Sequence, residues 1–258
     1  MYNESEIERI SDLLQEYAIA LMGVGTHTSR VVHNVKRIAF TFGYNADMTI
    51  FQKSIMMTIS LTDNPLVKHT SVKHIKPLAL NFRTISDLSA LSWNVYDNNL
   101  STEEFKSKFE QIMSTPRMSR WAVLFLVGCA NASFCRLFGG DIQAMTIVFI
   151  ATVIGFFTRQ ELTRKHVNHL FIFVICAFVA SMIGATGVKF GLGTTPQIAL
   201  GSSVLFLIPG VPLINSVIDI IEGHVLAGSS RLINASILII CIALGLLSTL
   251  LILGIDKL

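Results

Sequence analysis

Long runs without a charged side chain fill the second half of this chain and limit the folds open to it. They recur from Trp121 onward, and each approaches the ~20 mainly apolar residues that a helix needs to cross a bilayer. Water-soluble helices need a polar face, which these runs almost lack, so a soluble bundle is disfavoured. We predict an α-helical membrane protein with about five transmembrane helices, judged by that length. The predicted spans are residues 121–138, 142–157, 170–188, 199–215 and 232–255.

Charged residues are concentrated in the first part of the chain. Residues 1–117 carry 12 Lys/Arg and 12 Asp/Glu, whereas residues 118–258 carry 8 and 5. We therefore predict an N-terminal cytoplasmic α+β domain at 1–117 and a transmembrane domain at 118–258. The opening residues are charged and lack the apolar core of a signal peptide, which fits a domain that stays in the cytoplasm. The net charge of +3 is too small and scattered to indicate nucleic-acid binding.

Basic residues near the predicted spans fall mostly on one side of the membrane. Such a bias marks the cytoplasmic side in bacterial membrane proteins. It predicts a cytoplasmic N-terminus and a periplasmic or extracellular C-terminus. The basic residues on the predicted inner side are Arg117, Arg120, Arg159, Arg164, Lys165 and Arg231, and those on the outer side are Lys189 and Lys257.

The N-terminal domain shows the periodicities of both helices and strands. Apolar residues at helical spacing predict a first helix, and Thr26 or Thr28 could cap a second. A β-branched, partly alternating segment predicts one or two strands, and a turn separates it from a further short strand. The predicted helices cover Ser5–Met22, a segment ending at Phe42, Phe82–Tyr96 and Ser101–Met113; the predicted strands lie within Met48–Leu61 and Ser71–Ile75.

The fourth predicted span contains a helix-breaking sequence. Pro209, Gly210 and Pro212 lie within four residues, and each proline removes an N–H group and disfavours helix before it. Broken backbone at membrane depth must face protein or a water-filled cavity, and transporters use such breaks to bind substrates. We expect Pro212 to begin a half-helix whose N–H groups favour a carboxylate. A simple kink, or a helix end near the interface, is the alternative.

Polar residues close to this break add to a candidate substrate site. Asn215 and Asp219 are four residues apart and so share a helix face. Asp219 could bind a proton or cation, pair with Arg231, or lie at the cytoplasmic interface. Arg136, in the first span, either reaches the interface or contacts an anionic substrate, oriented by Asp141. The candidate substrate-binding residues are Pro209, Gly210, Pro212, Asn215, Asp219 and Arg136.

No pattern indicates an enzyme, a metal site or a cofactor. The cysteines lie in apolar runs without a CxxC motif, and the histidine spacings of the N-terminal domain match no compact ligand pattern. His166 and His169 have i,i+3 spacing, but a solvated loop is favoured over a metal site there. The N-terminal domain contains no Gly-rich phosphate loop, nucleophile elbow or HExxH motif. Two other classes stay open as alternatives. One is a membrane-anchored sensor with a cytoplasmic ligand-binding domain, and the other is a membrane-embedded enzyme.

Several motifs resemble those of the threonine/serine exporter family. They are Pro116-Arg-Met-Ser-Arg-Trp121, Val127-Gly-Cys-Ala, Phe134-Cys-Arg-Leu-Phe-Gly-Gly140, Ser203-Val-Leu-Phe-Leu-Ile-Pro-Gly-Val-Pro-Leu-Ile-Asn-Ser-Val-Ile-Asp219, Gly223-His224, Gly228-x-x-Arg231 and, more weakly, Gly25-Thr-His-Thr-Ser-Arg30. The resemblance implies export coupled to the proton gradient. The chain resembles the larger subunit of the split form of the family, which includes a bacterial succinate exporter, and this resemblance implies location in the bacterial inner membrane. The split form implies a smaller membrane subunit as partner, an oligomeric assembly, and succinate or threonine/serine as substrate.

Overall fold

The computed structural model describes residues 4–76, 78–116 and 118–255, with side chains from residue 6 onward. Arg117 and Lys257, which entered the predicted orientation, lie outside the described residues. The helices are α1 Glu4–Gly23, α2 Thr28–Thr41, α3 Phe82–Asn98, α4 Thr102–Ser114, α5 Arg120–Leu137, α6 Ile142–Arg164, α7 His169–Phe190, α8 Pro196–Ser202, α9 Gly210–Ile221 and α10 Val225–Leu253. The strands are β1 Tyr44–Ile50, β2 Ser54–Leu61 and β3 Lys68–His74, and a 3-10 turn covers Leu205–Leu207.

The chain forms two compact units that do not follow the order of the sequence. The first unit comprises Met1–Pro116 and Val211–Ile233, and the second comprises Arg117–Gly210 and Asn234–Leu258. Thus the segment that follows the predicted helix break belongs to the same unit as the N-terminal residues.

In the first unit, an antiparallel sheet in the order β1-β2-β3 packs with helices around one apolar core. Alternate residues of β2, including Ile55, Met57 and Ile59, are buried, as expected for a strand with one covered face. Tyr17 of α1 lies in the same core, where its hydroxyl donates a hydrogen bond to the Leu88 carbonyl at 2.7 Å. The predicted helices are confirmed, and the segment predicted as one or two strands is a two-stranded hairpin that begins earlier, at Tyr44.

In the second unit, small residues let helices approach closely. A Cβ on Gly245 of α10 would lie 2.5 Å from the Val174 carbonyl oxygen and 2.7 Å from the Ala177 Cβ of α7. The same two helices share a buried hydrogen bond between the Ser181 and Thr249 hydroxyls, which lie 2.6 Å apart. Such close backbone approach and interhelical hydroxyl pairs are typical of membrane helix packing.

Three described helices, α6, α7 and α10, are long and apolar enough to cross a membrane, and a bent pair formed by Pro196–Leu207 and α9 could supply a fourth span. The 18-residue helix α5 does not join this set, and it carries arginines at positions 120 and 136. Arg159 and Arg164 were expected in a loop, but α6 continues through both. Likewise α10 begins at Val225, which places Arg231 within a helix rather than before one.

Candidate substrate-binding site

The predicted helix break is confirmed. The chain leaves the 3-10 turn at Leu207, passes through Ile208 and Pro209, and begins α9 at Gly210 with a bend of 62°. The half-helix was expected to begin at Pro212, but it begins two residues earlier, at Gly210. Pro212 still lies in the first turn, where its missing N–H group breaks no intrahelical hydrogen bond.

Polar side chains on α9 bind the backbone at the start of α2. The Asn215 amide donates a hydrogen bond to the Gly25 carbonyl at 2.8 Å. One turn further on, Asp219 accepts hydrogen bonds from the Thr28 N–H at 2.7 Å and the Thr28 hydroxyl at 3.1 Å. His27, the N-cap residue of α2, makes no capping bond through its own side chain. Asp219 thus supplies the acceptor that the N-terminus of α2 needs, and its negative charge faces the positive end of the helix.

Asp219 also forms an ion pair with Arg231 of α10. The Arg231 Nη1 lies 3.1 Å from Asp219 Oδ2; the Asp219 side chain is fully buried, and that of Arg231 is 19% exposed. The other terminal nitrogen, Nη2, donates to the Met22 sulfur at 3.5 Å. A thioether is a weak acceptor. Among the described residues, one side of the guanidinium therefore meets a carboxylate and the other meets a poor hydrogen-bond acceptor.

A second ionisable pair lies beside this one. His27 Nδ1 is 3.5 Å from Glu222 Oε2 but is not aligned for a hydrogen bond. Burial lowers the pKa of His27 and the nearby Arg30 lowers it further, while Glu222 and Asp219 act in the opposite direction. The pKa of Glu222 is lowered, first by a hydrogen bond with Ser29 and also by His27. At neutral pH the pair is therefore a neutral histidine beside an ionised glutamate.

A cavity of about 360 Å³ opens next to these groups, within the first unit. Its polar lining includes Gln52, Asn215 and Arg231, and much of the remaining lining is apolar, including Pro212 and Leu80. The volume lies at the lower end of the range for small-molecule sites, and apolar walls with a few polar groups are the usual composition of such sites.

The other predicted site residues lie in the second unit. Pro209 is buried, and a Cβ on Gly210 would meet nothing within 4 Å. Arg136 lies at the end of α5, where its Nη1 donates to the Gly140 carbonyl at 3.1 Å. Asp141, expected to orient it, caps α6 by accepting from the Ala144 N–H at 2.7 Å, and this bond is the first cause of its lowered pKa.

The sequence analysis did not predict two parts of this site as binding groups. Gly25–Arg30 entered only as a weak motif of a family, and Arg231 entered as an orientation signal and a possible partner of Asp219. A lone arginine at the edge of a long apolar run was the available signal, because a cation there is costly unless it is used. No group of three or more His, Cys, Asp or Glu side chains that could hold a metal ion occurs among the residues that the structure describes.

The fold and this site define a helical membrane protein with a cation-bearing cavity beside a broken helix. The family model for threonine/serine exporters (ThrE) matches residues 12–253, so the chain belongs to this family. The resemblance drawn from the motifs is confirmed, and the protein is a transport protein rather than an enzyme.

Three relatives illustrate the family. A protein of Escherichia coli (strain K12) named "Probable succinate transporter subunit YjjP" is 27% identical over 248 residues, covering 95% of each chain. Its namesake in Klebsiella aerogenes is 26% identical over 244 residues, covering 94% of this chain and 93% of that one. The "Threonine/serine exporter" of Corynebacterium glutamicum is 23% identical over 238 residues, covering 89% of this chain and 48% of that one. No solved structure matches this chain.

Proposed function

We propose that this chain is a subunit of a secondary exporter of small carboxylate-bearing metabolites in the bacterial inner membrane. The substrate is a succinate-like dicarboxylate or threonine/serine. The observation that carries the proposal is the cavity beside the start of α9, whose largely apolar lining includes Arg231. A partly buried cation with an adjoining cavity is a suitable binding group for a carboxylate.

The assembly that we propose contains a second, smaller membrane subunit of the same family. Support comes from the two YjjP relatives, which match this chain over nearly their whole length and whose printed name describes a transporter subunit. In this proposal residues 1–117 form a cytoplasmic domain, and the rest of the chain spans the membrane about five times. The number of spans follows from the ~20 apolar residues that each one needs. Helix α5 would be the first of these spans and would bring the four candidate spans to five, with the C-terminus on the periplasmic or extracellular side.

The break before α9 is where the substrate path would pass. Pro209, Gly210 and Pro212 open the backbone, Asn215 lines the cavity, and Asp219 is the acidic group that pairs with Arg231 beside it. Arg136 would act as a separate cationic contact on the path. Coupling to the proton gradient is what the family resemblance implies, and an acid paired with a cation at a broken helix is a suitable place for it.

Efflux from vesicles tests this function. Vesicles carrying this chain, the smaller subunit or both are loaded with labelled succinate or threonine, and release is followed after a pH gradient is imposed. We expect release only when both subunits are present. Asp219→Asn should abolish release while membrane insertion stays normal. Glu222→Gln, which removes a neighbouring acid that does not pair with Arg231, is the matched control and should export normally.

Two results would contradict the proposal. Full export by the purified chain alone would remove the requirement for a partner. Unchanged efflux from Asp219→Asn vesicles would remove this carboxylate from the mechanism.

A further inference from the structure

Among the residues that the structure describes, Arg231 has a strong hydrogen-bond acceptor on one side only. Its Nη1 pairs with Asp219 at 3.1 Å, whereas its Nη2 meets the Met22 sulfur at 3.5 Å. The same side chain lines the cavity, together with Gln52 and Asn215. A guanidinium binds a carboxylate best through two parallel N–H···O bonds, and a thioether offers a poor substitute for the second. The cavity therefore presents a cation whose hydrogen-bonding capacity is only partly used.

Asp219 has a second set of partners that does not depend on Arg231. The Thr28 N–H and hydroxyl both donate to its carboxylate, at 2.7 and 3.1 Å. The positive end of the α2 dipole also stabilises its charge. Asp219 could thus release the arginine and keep two hydrogen bonds, so the arginine can change partners without leaving a buried carboxylate unsatisfied.

We propose that Arg231 is the carboxylate anchor of this cavity, and that a bound ligand carboxylate displaces Asp219 from the guanidinium. The inference rests on the proposed function and deepens it, because it names the group that recognises the substrate. Asp219 acts in this scheme as an internal competitor. Without a ligand, Asp219 pairs with the Arg231 guanidinium. The strength of that pair sets how tightly a ligand must bind to displace Asp219.

The size and walls of the cavity fit a small acid. About 360 Å³ is ample for a four-carbon metabolite and lies at the lower end of the range for small-molecule sites. The other titratable groups near the pair are His27, Arg30 and Glu222, and the last two interact electrostatically with His27. Glu222 lies against His27 rather than against Arg231, so it does not compete for the anchor.

If Asp219 competes with the ligand for Arg231, its substitution should strengthen ligand binding. Substitution of a residue that binds the ligand directly should weaken it. Asp219→Asn removes the competing charge, but its side-chain oxygen can still accept from the Thr28 N–H, because asparagine is as good an N-cap as aspartate. We therefore expect succinate or L-threonine to bind the Asp219→Asn chain about tenfold more tightly than the wild type, a change of the size expected when one ion pair no longer has to be broken. Had Asp219 been a direct ligand group, the same substitution would weaken binding.

Titration calorimetry on the purified full chain in detergent measures this, with succinate, L-threonine and the uncharged succinamide as probes. Arg231→Gln alone would leave Asp219 without its cation, so the informative pair is Asp219→Asn and Asp219→Asn/Arg231→Gln. These differ only in the anchor, and the double variant should lose succinate and threonine binding. Succinamide should bind neither of these two variants. The Glu222→Gln chain should bind succinate and L-threonine as tightly as the wild type does.

Equal or weaker binding to Asp219→Asn, undiminished binding to the double variant, or no binding of either acid to any form would overturn the inference. Its failure is separable from failure of the exporter. Vesicles that export while the two variants bind alike would keep the exporter and place the anchor elsewhere. Binding that follows the expected pattern without export by any subunit combination would keep the anchor and reject the exporter.

Discussion

Two cavities of nearly the same size differ completely in their chemistry. The first unit holds one of about 360 Å³ lined by Arg231, Asn215 and Gln52 among others, and the second unit holds one of about 370 Å³. Among the described residues that line the second cavity, Asn131 alone is polar.

Asn131, the polar residue of the second cavity, already donates hydrogen bonds to neighbouring groups of the protein. The Asn131 amide donates to the Thr152 hydroxyl at 2.6 Å and to the Ser202 carbonyl at 3.1 Å, and the residue is 3% exposed. Arg231, in contrast, has a terminal nitrogen, Nη2, whose acceptor among the described residues is a sulfur atom. The comparison shows that spare hydrogen-bonding capacity, and not volume, distinguishes a candidate ligand site from a gap in packing. The following predictions test that distinction, from the largest expected effect to the smallest.

Loss of the Asp219 side chain should be the most damaging change in the first unit. Asp219→Ala leaves Arg231 without its carboxylate and the start of α2 without its cap, so we expect a loss of about 3 kcal/mol in stability. Asp219→Asn keeps the cap and should cost about 1 kcal/mol, since Arg231 can still be hydrated from the cavity. Thermal unfolding of the purified chain in detergent measures both. Equal losses would show that the charge pair, and not the cap, dominates.

In the second unit, close packing of helix backbones should make the largest contribution to stability. Gly245→Ala places a methyl group 2.5 Å from the Val174 carbonyl oxygen, and forcing α7 and α10 apart should cost about 2 kcal/mol. Gly201→Ala is the matched control, because a Cβ there meets nothing within 4 Å. The same unfolding experiment should show no loss for Gly201→Ala, and a tolerated Gly245→Ala would indicate that the two helices adjust freely.

Filling each cavity should separate the functional one from the packing gap. Ala227 lines the first cavity and Ala130 lines the second. Ala227→Leu should lower efflux about tenfold by excluding substrate, whereas Ala130→Leu should leave efflux unchanged. Efflux is compared at equal amounts of membrane-inserted protein. The reverse pattern would transfer the substrate site to the second unit and break the comparison.

Removing the polar group of the second cavity should affect stability alone. Asn131→Leu loses two interhelical hydrogen bonds but adds apolar packing, so we expect a cost of about 1 kcal/mol with normal succinate binding. Ser133→Ala on the same helix, whose hydroxyl bonds only the Cys129 carbonyl among the described groups, should be neutral. Loss of succinate binding in Asn131→Leu would assign that cavity a ligand.

Acid should weaken the first unit slightly through His27. Burial places its folded-state pKa below the unfolded value, so the folded protein prefers neutral histidine. The resulting contribution to stability is present above the unfolded pKa and is lost as the pH falls below it, that is below about 6.5. Thermal unfolding at about pH 7.5 and about pH 5.5 should show a smaller pH dependence for His27→Gln than for the wild type. An identical pH dependence would exclude His27 as a contributor.

Much of the architecture could be read from local sequence. The apolar runs predicted α6 and α7 because every turn of a membrane helix must be apolar, and Pro209 and Pro212 predicted the break because proline removes backbone hydrogen bonds wherever it occurs. Helix ends were less predictable. Arg159 and Arg164 suggested a loop, but charged residues can extend a helix beyond the membrane core by reaching the interface.

The sequence by itself determined the helices, the break and the residue types available for chemistry. Only the tertiary structure grouped Val211–Ile233 with the N-terminal residues, and so joined Asp219 to Thr28, 191 positions away, and to Arg231. The physical reason is that periodicity and proline act over a few residues. Which acceptor caps the start of α2, and which donors of Arg231 stay free to bind a ligand, depend instead on contacts between segments far apart in the chain.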